Sequence, residues 1–107
     1  ERLESSVAPL DWGSMSRLEF APPDVKKFPC ISLAYRAIQM GGTAPAVLNA
    51  ADEIAVEAFL NRQITFPDIP RLIGAVLEMS QTGPADSIES IMDADRWARE
   101  RSRQWLQ

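Results

Sequence analysis

Three carboxylates crowd one short stretch of this chain: Asp52, Glu53 and Glu57, with the amide of Asn49 one turn earlier. At helical spacing all four fall in one narrow stripe. The chemistry open to such a stripe is a divalent-metal site or an acid–base pair. A di-metal site in a helical bundle draws carboxylates from several helices and adds Glu-x-x-His repeats, and the chain has no histidine. Oxygen ligands alone can hold a hard cation, but the loop signature that does so is absent. The expected role is therefore a solvated stripe, or one paired with arginines such as Arg36, Arg62 or Arg71. Asparagine is a poor helix former, so Asn49 is expected to serve one specific buried hydrogen bond.

The other candidates are thinner. Without histidine there is no serine–histidine or cysteine–histidine nucleophile and no common zinc site, and neither a GxGxxG nor a P-loop occurs. Cys30 is the single cysteine; it cannot form an internal disulfide and reads as a buried structural thiol among apolar neighbours. Trp12, Trp97 and Trp105 lack the interleaved basic residues of a base-stacking platform, so packing is the expected role. Arg96, Arg99, Arg101 and Arg103 form the one basic cluster, placed to complement the negative end of a helix dipole. Asp93 and Asp95 read as caps. A net charge of -4 argues against nucleic acid as partner, and no apolar run is long enough to span a bilayer. A cytosolic compartment is the default expectation.

Four or five helices must position these residues. The pattern reads as an all-α bundle over 29–107, preceded by an extended arm over 1–28 in which Pro9, Pro22 and Pro23 prevent a long helix. Within the arm, Arg17-Leu18-Glu19-Phe20 alternates like a short strand whose partner lies outside the chain. The irregular arm and the start at Glu1 together suggest a piece of something longer. The first helix runs from about Pro29 to Met40, with Cys30, Leu33, Ala34, Ala37 and Ile38 inward, and ends at Gly41-Gly42. The second runs from about Ala44 to Asn61 with Thr43 as N-cap; apolar over most of its circumference, it belongs at the centre of the bundle. A third spans roughly Asp68 to Met79, with Asp68 as N-cap and Ile69, Leu72, Ile73, Val76 and Leu77 inward. Asp86 and Glu89 resemble a capping box for the next. Asp95 falls on the apolar stripe begun by Ile88, Ile91 and Met92. A buried unpaired carboxylate is costly, so a break is expected near Asp93 to Asp95. A last helix would then carry Trp97, Ala98, Trp105 and Leu106.

The run Leu48-Asn49-Ala50-Ala51-Asp52-Glu53-Ile54-Ala55-Val56-Glu57-Ala58-Phe59-Leu60 resembles a signature of the 1-deoxy-D-xylulose 5-phosphate reductoisomerase family, Leu-Asn-Ala-Ala-Asn-Glu-Val-Ala-Val-x-Ala-Phe-Leu. Pro9-Leu10-Asp11-Trp12, Leu18 to Asp24 and Phe28 to Ala34 resemble that family's linker and the segment after it. Ile64 to Ile69 and Ala94 to Arg99 resemble its C-terminal region. Asp52 departs from the pattern, which has asparagine there; a carboxylate cannot donate the hydrogen bond an amide can. The resemblance implies a parent enzyme that isomerises and reduces its substrate to 2-C-methyl-D-erythritol 4-phosphate in non-mevalonate isoprenoid biosynthesis. It further implies NADPH and a divalent Mg or Mn ion as cofactors, and a homodimer of three-part subunits. The parts are an NADPH-binding domain, a central catalytic domain and a C-terminal helical bundle. This chain matches only the linker and the bundle, so no catalytic, cofactor-binding or metal-binding residue carries over, and the segment alone is expected to be inactive. The alternative is an independent helical interaction module, binding a partner through Trp97, Trp105 or the carboxylate stripe.

Overall fold

The computed structural model describes residues 7–107 and contains four helices: α1 (Cys30–Met40), α2 (Ala44–Leu60), α3 (Asp68–Met79) and α4 (Ile88–Trp105). No strand occurs among the described residues. The first six residues of the expected arm lie outside them. Arg17 to Phe20 do not form the expected strand: a ladder needs a second strand to hydrogen-bond with, and none is present in residues 7–107.

The arm is instead shaped by two aspartates that fold the backbone over themselves. Asp11 Oδ1 accepts from the Gly13 N–H at 3.0 Å. Asp24 Oδ1 accepts from the N–H groups of Lys26 at 3.0 Å and Lys27 at 3.2 Å. These are the local turns that aspartate side chains favour. Every arm residue from 7 to 28 is exposed. The radius of gyration is 18.8 Å, against about 13 Å for a packed domain of this length, because the arm stands away from the bundle.

Helix α2 is the centre, touching α1, α3 and α4. Its seven buried residues are Ala44, Val47, Ala50, Ala51, Ile54, Ala55 and Ala58, a helical stripe at three- and four-residue spacing. Five are alanine, which lets the neighbouring backbones come close. Opposite the stripe, Val56 and Leu60 are exposed, so the burial is less complete than the composition of α2 suggests. Helix α3 contributes the expected five inward residues, Ile69, Leu72, Ile73, Val76 and Leu77. Helix α4 adds only Ala98 and Ser102 as buried residues, and the Ser102 hydroxyl donates to Ala98 O at 2.6 Å, which satisfies it in place. In α1 only Ala37 is buried; the expected inward residues Cys30 and Ile38 are exposed.

The helix ends follow physical rules, though not always through the expected residues. Thr43 precedes α2 but makes no side-chain cap. Its hydroxyl accepts from the Gly83 N–H at 3.3 Å, and its own N–H donates to Gly83 O at 3.0 Å. This two-point link ties the α3–α4 loop to the α1–α2 turn. Gly42 is obligatory at the link: its φ is +54°, and a Cβ there would lie 2.1 Å from Gly83 O. Helix α2 ends in a Schellman motif, with Arg62 N–H on Phe59 O and Gln63 N–H on Ala58 O. Arg62 takes the left-handed conformation (φ 60°) usually given to glycine.

At α3 the N-cap position is Pro67, not Asp68. Asp68 sits one residue inside and reaches back to the Thr65 N–H at 3.0 Å and the Thr65 hydroxyl at 2.8 Å. The α4 capping box is formed by Ser87 and Ser90 rather than Asp86 and Glu89. Helix α4 then runs unbroken through Asp93 to Asp95. The expected break fails because Asp95 is not unpaired: Arg99, one turn on, holds it.

Candidate functional site

The α2 stripe was expected to be solvated or paired with arginines, and the structure ties its central residue to α4 through an arginine. Arg99 donates through Nε to Asp95 Oδ2 at 2.8 Å and through Nη2 to Glu53 Oε2. One guanidinium thus joins the carboxylate of its own helix to one on α2. Asn49 Nδ2 donates to the other oxygen of Glu53 at 3.4 Å. These hydrogen bonds, to Asp95 first and Glu53 second, raise the Arg99 pKa further above its ordinary value. Arg99 is a permanent cation in a clamp, not a proton carrier.

The remaining stripe residues are not drawn into this clamp. Asp52 is half-buried, makes no ion pair among the described residues, and has its pKa raised by burial first and by neighbouring Glu53 second. Its charge reaches the Cys30 thiol, whose pKa is raised by burial and then by Asp52. Cys30 lies at the surface, at the first position of α1, rather than in the core. Asn49 is exposed as well, so the buried partner expected for it is replaced by a surface hydrogen bond to Glu53. The arginines expected to pair with the stripe go elsewhere: Arg36 lies 3.8 Å from Glu78 and Arg71 3.0 Å from Asp68.

The basic cluster also behaves differently from a dipole cap. Only Arg103 lies in the last turn of α4. Arg96 pairs with Asp93 at 3.1 Å, three residues back, so neither Asp93 nor Asp95 is a cap. Arg101 donates to Gln104 and stacks over the Trp97 ring at 5.8 Å. Arg99 is the residue that sequence reasoning undervalued. The signal was available in the i, i+4 spacing of Asp95 and Arg99, but the reach to Glu53 across 46 residues was not.

No group of three or more His, Cys, Asp or Glu is placed to hold a metal ion among the described residues. One concavity of about 690 Å³ is an open groove between the α3–α4 loop and α4, lined by Thr43, Met79, Pro84, Asp93, Trp97 and Arg101 among others. The two serine hydroxyls in its lining, Ser80 and Ser90, donate to the backbone carbonyls of Leu77 and Ser87 rather than to a carboxylate. Several carboxylates are instead held by arginines, with pairs at Glu53, Asp68, Asp93 and Asp95. Most of these pairs lie within one helix, and the Arg99–Glu53 bond ties α4 to α2 across the small helical bundle.

The comparisons with known proteins give this bundle its place. The sequence profile of the DXP reductoisomerase C-terminal domain matches residues 1–101, and the chain belongs to that family. It is 51% identical over 106 residues to the 1-deoxy-D-xylulose 5-phosphate reductoisomerase of Pseudomonas putida, covering 99% of this chain and 26% of that protein. It is 46% identical over 103 residues to the same enzyme of Thermodesulfovibrio yellowstonii, covering 96% and 27%. Among solved structures, the reductoisomerase from Zymomonas mobilis in complex with NADPH superposes with a TM-score of 0.85 at 34% identity, over 100% of this chain and 28% of that one. A reductoisomerase in complex with NADPH, fosmidomycin and magnesium gives 0.85 at 35%, over 99% and 28%. The chain thus spans about a quarter of the length of the curated relatives it matches.

Proposed function

We propose that this chain is the linker arm (1–28) and C-terminal helical bundle (29–107) of a 1-deoxy-D-xylulose 5-phosphate reductoisomerase, and that it acts as a structural support for the catalytic remainder. The parent enzyme converts its substrate to 2-C-methyl-D-erythritol 4-phosphate with NADPH and Mg or Mn, works in the cytoplasm and is a homodimer. The carrying observation is that identity and fold run together along the chain: a solved relative covers all of it at 34% identity and a TM-score of 0.85.

The described residues do not fit either cofactor. The Gly41-Gly42 turn at the start of α2 is closed against Gly83 O, and Glu53, at the centre of the acidic stripe, is held by Arg99. Catalytic, NADPH-binding and metal-binding residues are therefore assigned to the remainder of the parent, and none to this segment. The match to one enzyme family along nearly the whole chain leaves an independent interaction module without an observation in its favour.

Three forms test the reading: the full-length protein, a form lacking residues 30–107, and the bundle alone, each assayed for substrate-dependent NADPH oxidation with Mg. Activity is expected in the first and loss of activity or of soluble protein in the second. NADPH oxidation by the bundle alone, or a fully active and equally stable truncated form, would overturn the reading.

A further inference from the structure

Helix α1 differs from the rest of the bundle in what it shows to the outside. It has one charged residue in eleven, Arg36, and Arg36 leans toward Glu78 of α3. Its outer face carries Ile31, Tyr35 and Ile38 at i, i+4 and i+7, exposed by 39%, 65% and 68%. An apolar stripe of that regularity normally faces a core. Here the inward side of α1 is a different set, Leu33, Ala34 and Ala37.

The stripe does not stand alone. The arm leads straight into α1 and carries Leu18, Phe20, Val25 and Phe28, all exposed. Among the described residues, none buries the arm between positions 8 and 28. Yet the arm and bundle together superpose on the intact reductoisomerase from Zymomonas mobilis over 100% of this chain. An extended arm with its apolar side chains in solvent has no internal reason to keep that path. A surface outside the chain supplies one, and the same surface reaches α1, because Phe28 lies just before the helix and only three residues from Ile31.

We propose that the Ile31–Tyr35–Ile38 face of α1, continuous with the arm, is where this domain seats on the part of the parent polypeptide that precedes it. The proposal rests on the reading that the chain is the C-terminal quarter of a reductoisomerase, and it adds which surface makes the contact. The occupant is the preceding chain because the relatives are about four times as long as this segment, and the arm joins that missing part to α1 covalently. A rival apolar patch at the start of α4, Ile88, Ile91 and Met92, is broken by Glu89 and Asp93 and has no arm beside it.

Thiol accessibility in the full-length protein tests this. Single cysteines are placed by Ile38→Cys, Ile88→Cys and Glu100→Cys in a Cys30→Ser background freed of other accessible thiols. Each is labelled with a maleimide in native buffer and in urea. Ile38→Cys should label at least tenfold slower natively than in urea, although its site is exposed in the segment, while Glu100→Cys should differ little between the two. Free native labelling of Ile38→Cys would overturn the proposal, and so would protection at Ile88→Cys instead. Protection of Ile38→Cys that disappears on dilution to monomers would assign the face to a second copy and overturn it too. If deletion of 30–107 abolishes activity while Ile38→Cys labels freely, the supporting role stands and only this surface is wrong. If the deletion is harmless, the supporting role itself has failed.

Discussion

The two long seams on α2 are built from opposite materials. Toward α3 the contact is large aliphatic side chains: Leu72, Val76 and Leu77 have no exposed surface. Toward α4 the buried contribution is one alanine and one serine, and the visible tie is the Glu53–Arg99–Asp95 clamp at the rim. Helix α4 has eight charged residues in eighteen, so it cannot offer a wide apolar face. The contrast shows two ways to fix a helix: α3 is held by the volume it excludes from water, and α4 by close approach through small residues plus a charged lock.

The largest effect should come from cutting the aliphatic seam. Leu77→Ala removes a fully buried side chain and leaves a cavity, and is expected to cost about 3 kcal/mol in urea denaturation. A cost below about 1 kcal/mol would mean that the α3 seam is not the volume-filled one. On the α4 side the damaging change is in the opposite direction. Ala98→Leu adds bulk at a position with no exposed surface and is expected to cost about 2 kcal/mol through overpacking. A neutral or stabilising outcome would show slack in that seam and weaken the contrast.

The charged lock is the next smaller term. Arg99→Met keeps much of the stem but leaves the half-buried Asp95 without its partner, and should cost about 1 kcal/mol at low salt. Part of that cost should fade in high salt, since the Glu53 end of the clamp is exposed. A double-mutant cycle of Arg99→Met with Glu53→Gln isolates the cross-helix bond. Zero coupling would leave α4 held by packing alone.

The aliphatic seam was legible in the sequence and the charged one was not, for a physical reason. Helical periodicity of apolar residues places α3 without further information, and Asp68 to Met79 are its bounds as expected. The same rule misjudged α4. It counted Asp95 as a carboxylate in the core and broke the helix to relieve it, because apolar periodicity takes no account of a charged partner one turn along the same helix. Asn49 failed in the reverse sense: low helix propensity suggested a buried bond, and the partner is Glu53 at the surface. Cys30 and Ile38 looked inward by composition and lie outward. What covers a face depends on chain that periodicity does not see. The candidate site shared that limit, since the types and spacing of Asp52, Glu53 and Glu57 were plain, while the claim of Arg99 on Glu53 was a tertiary fact.

Asp52 separates the two halves of α2 most finely, since it lies on the polar stripe and yet is half-buried without an ion pair among the described residues. Burial, then the neighbouring charge of Glu53, raises its folded-state pKa. The sign follows from linkage: a carboxyl with a raised folded pKa disfavours the fold when ionised. That penalty is fully present above the folded pKa and vanishes as pH falls below the unfolded value, about 3.9. Asp52→Asn should therefore stabilise the bundle slightly at pH 7, and the advantage should shrink toward pH 4. A second readout does not depend on stability. Asp52 also helps to raise the Cys30 pKa, so the substitution should lower that pKa and speed Cys30 alkylation at pH 8. If Asp52→Asn instead destabilises the bundle at pH 7 while alkylation is unchanged, Asp52 holds a favourable contact, and the polar side of α2 is as fully satisfied as its clamp to α4.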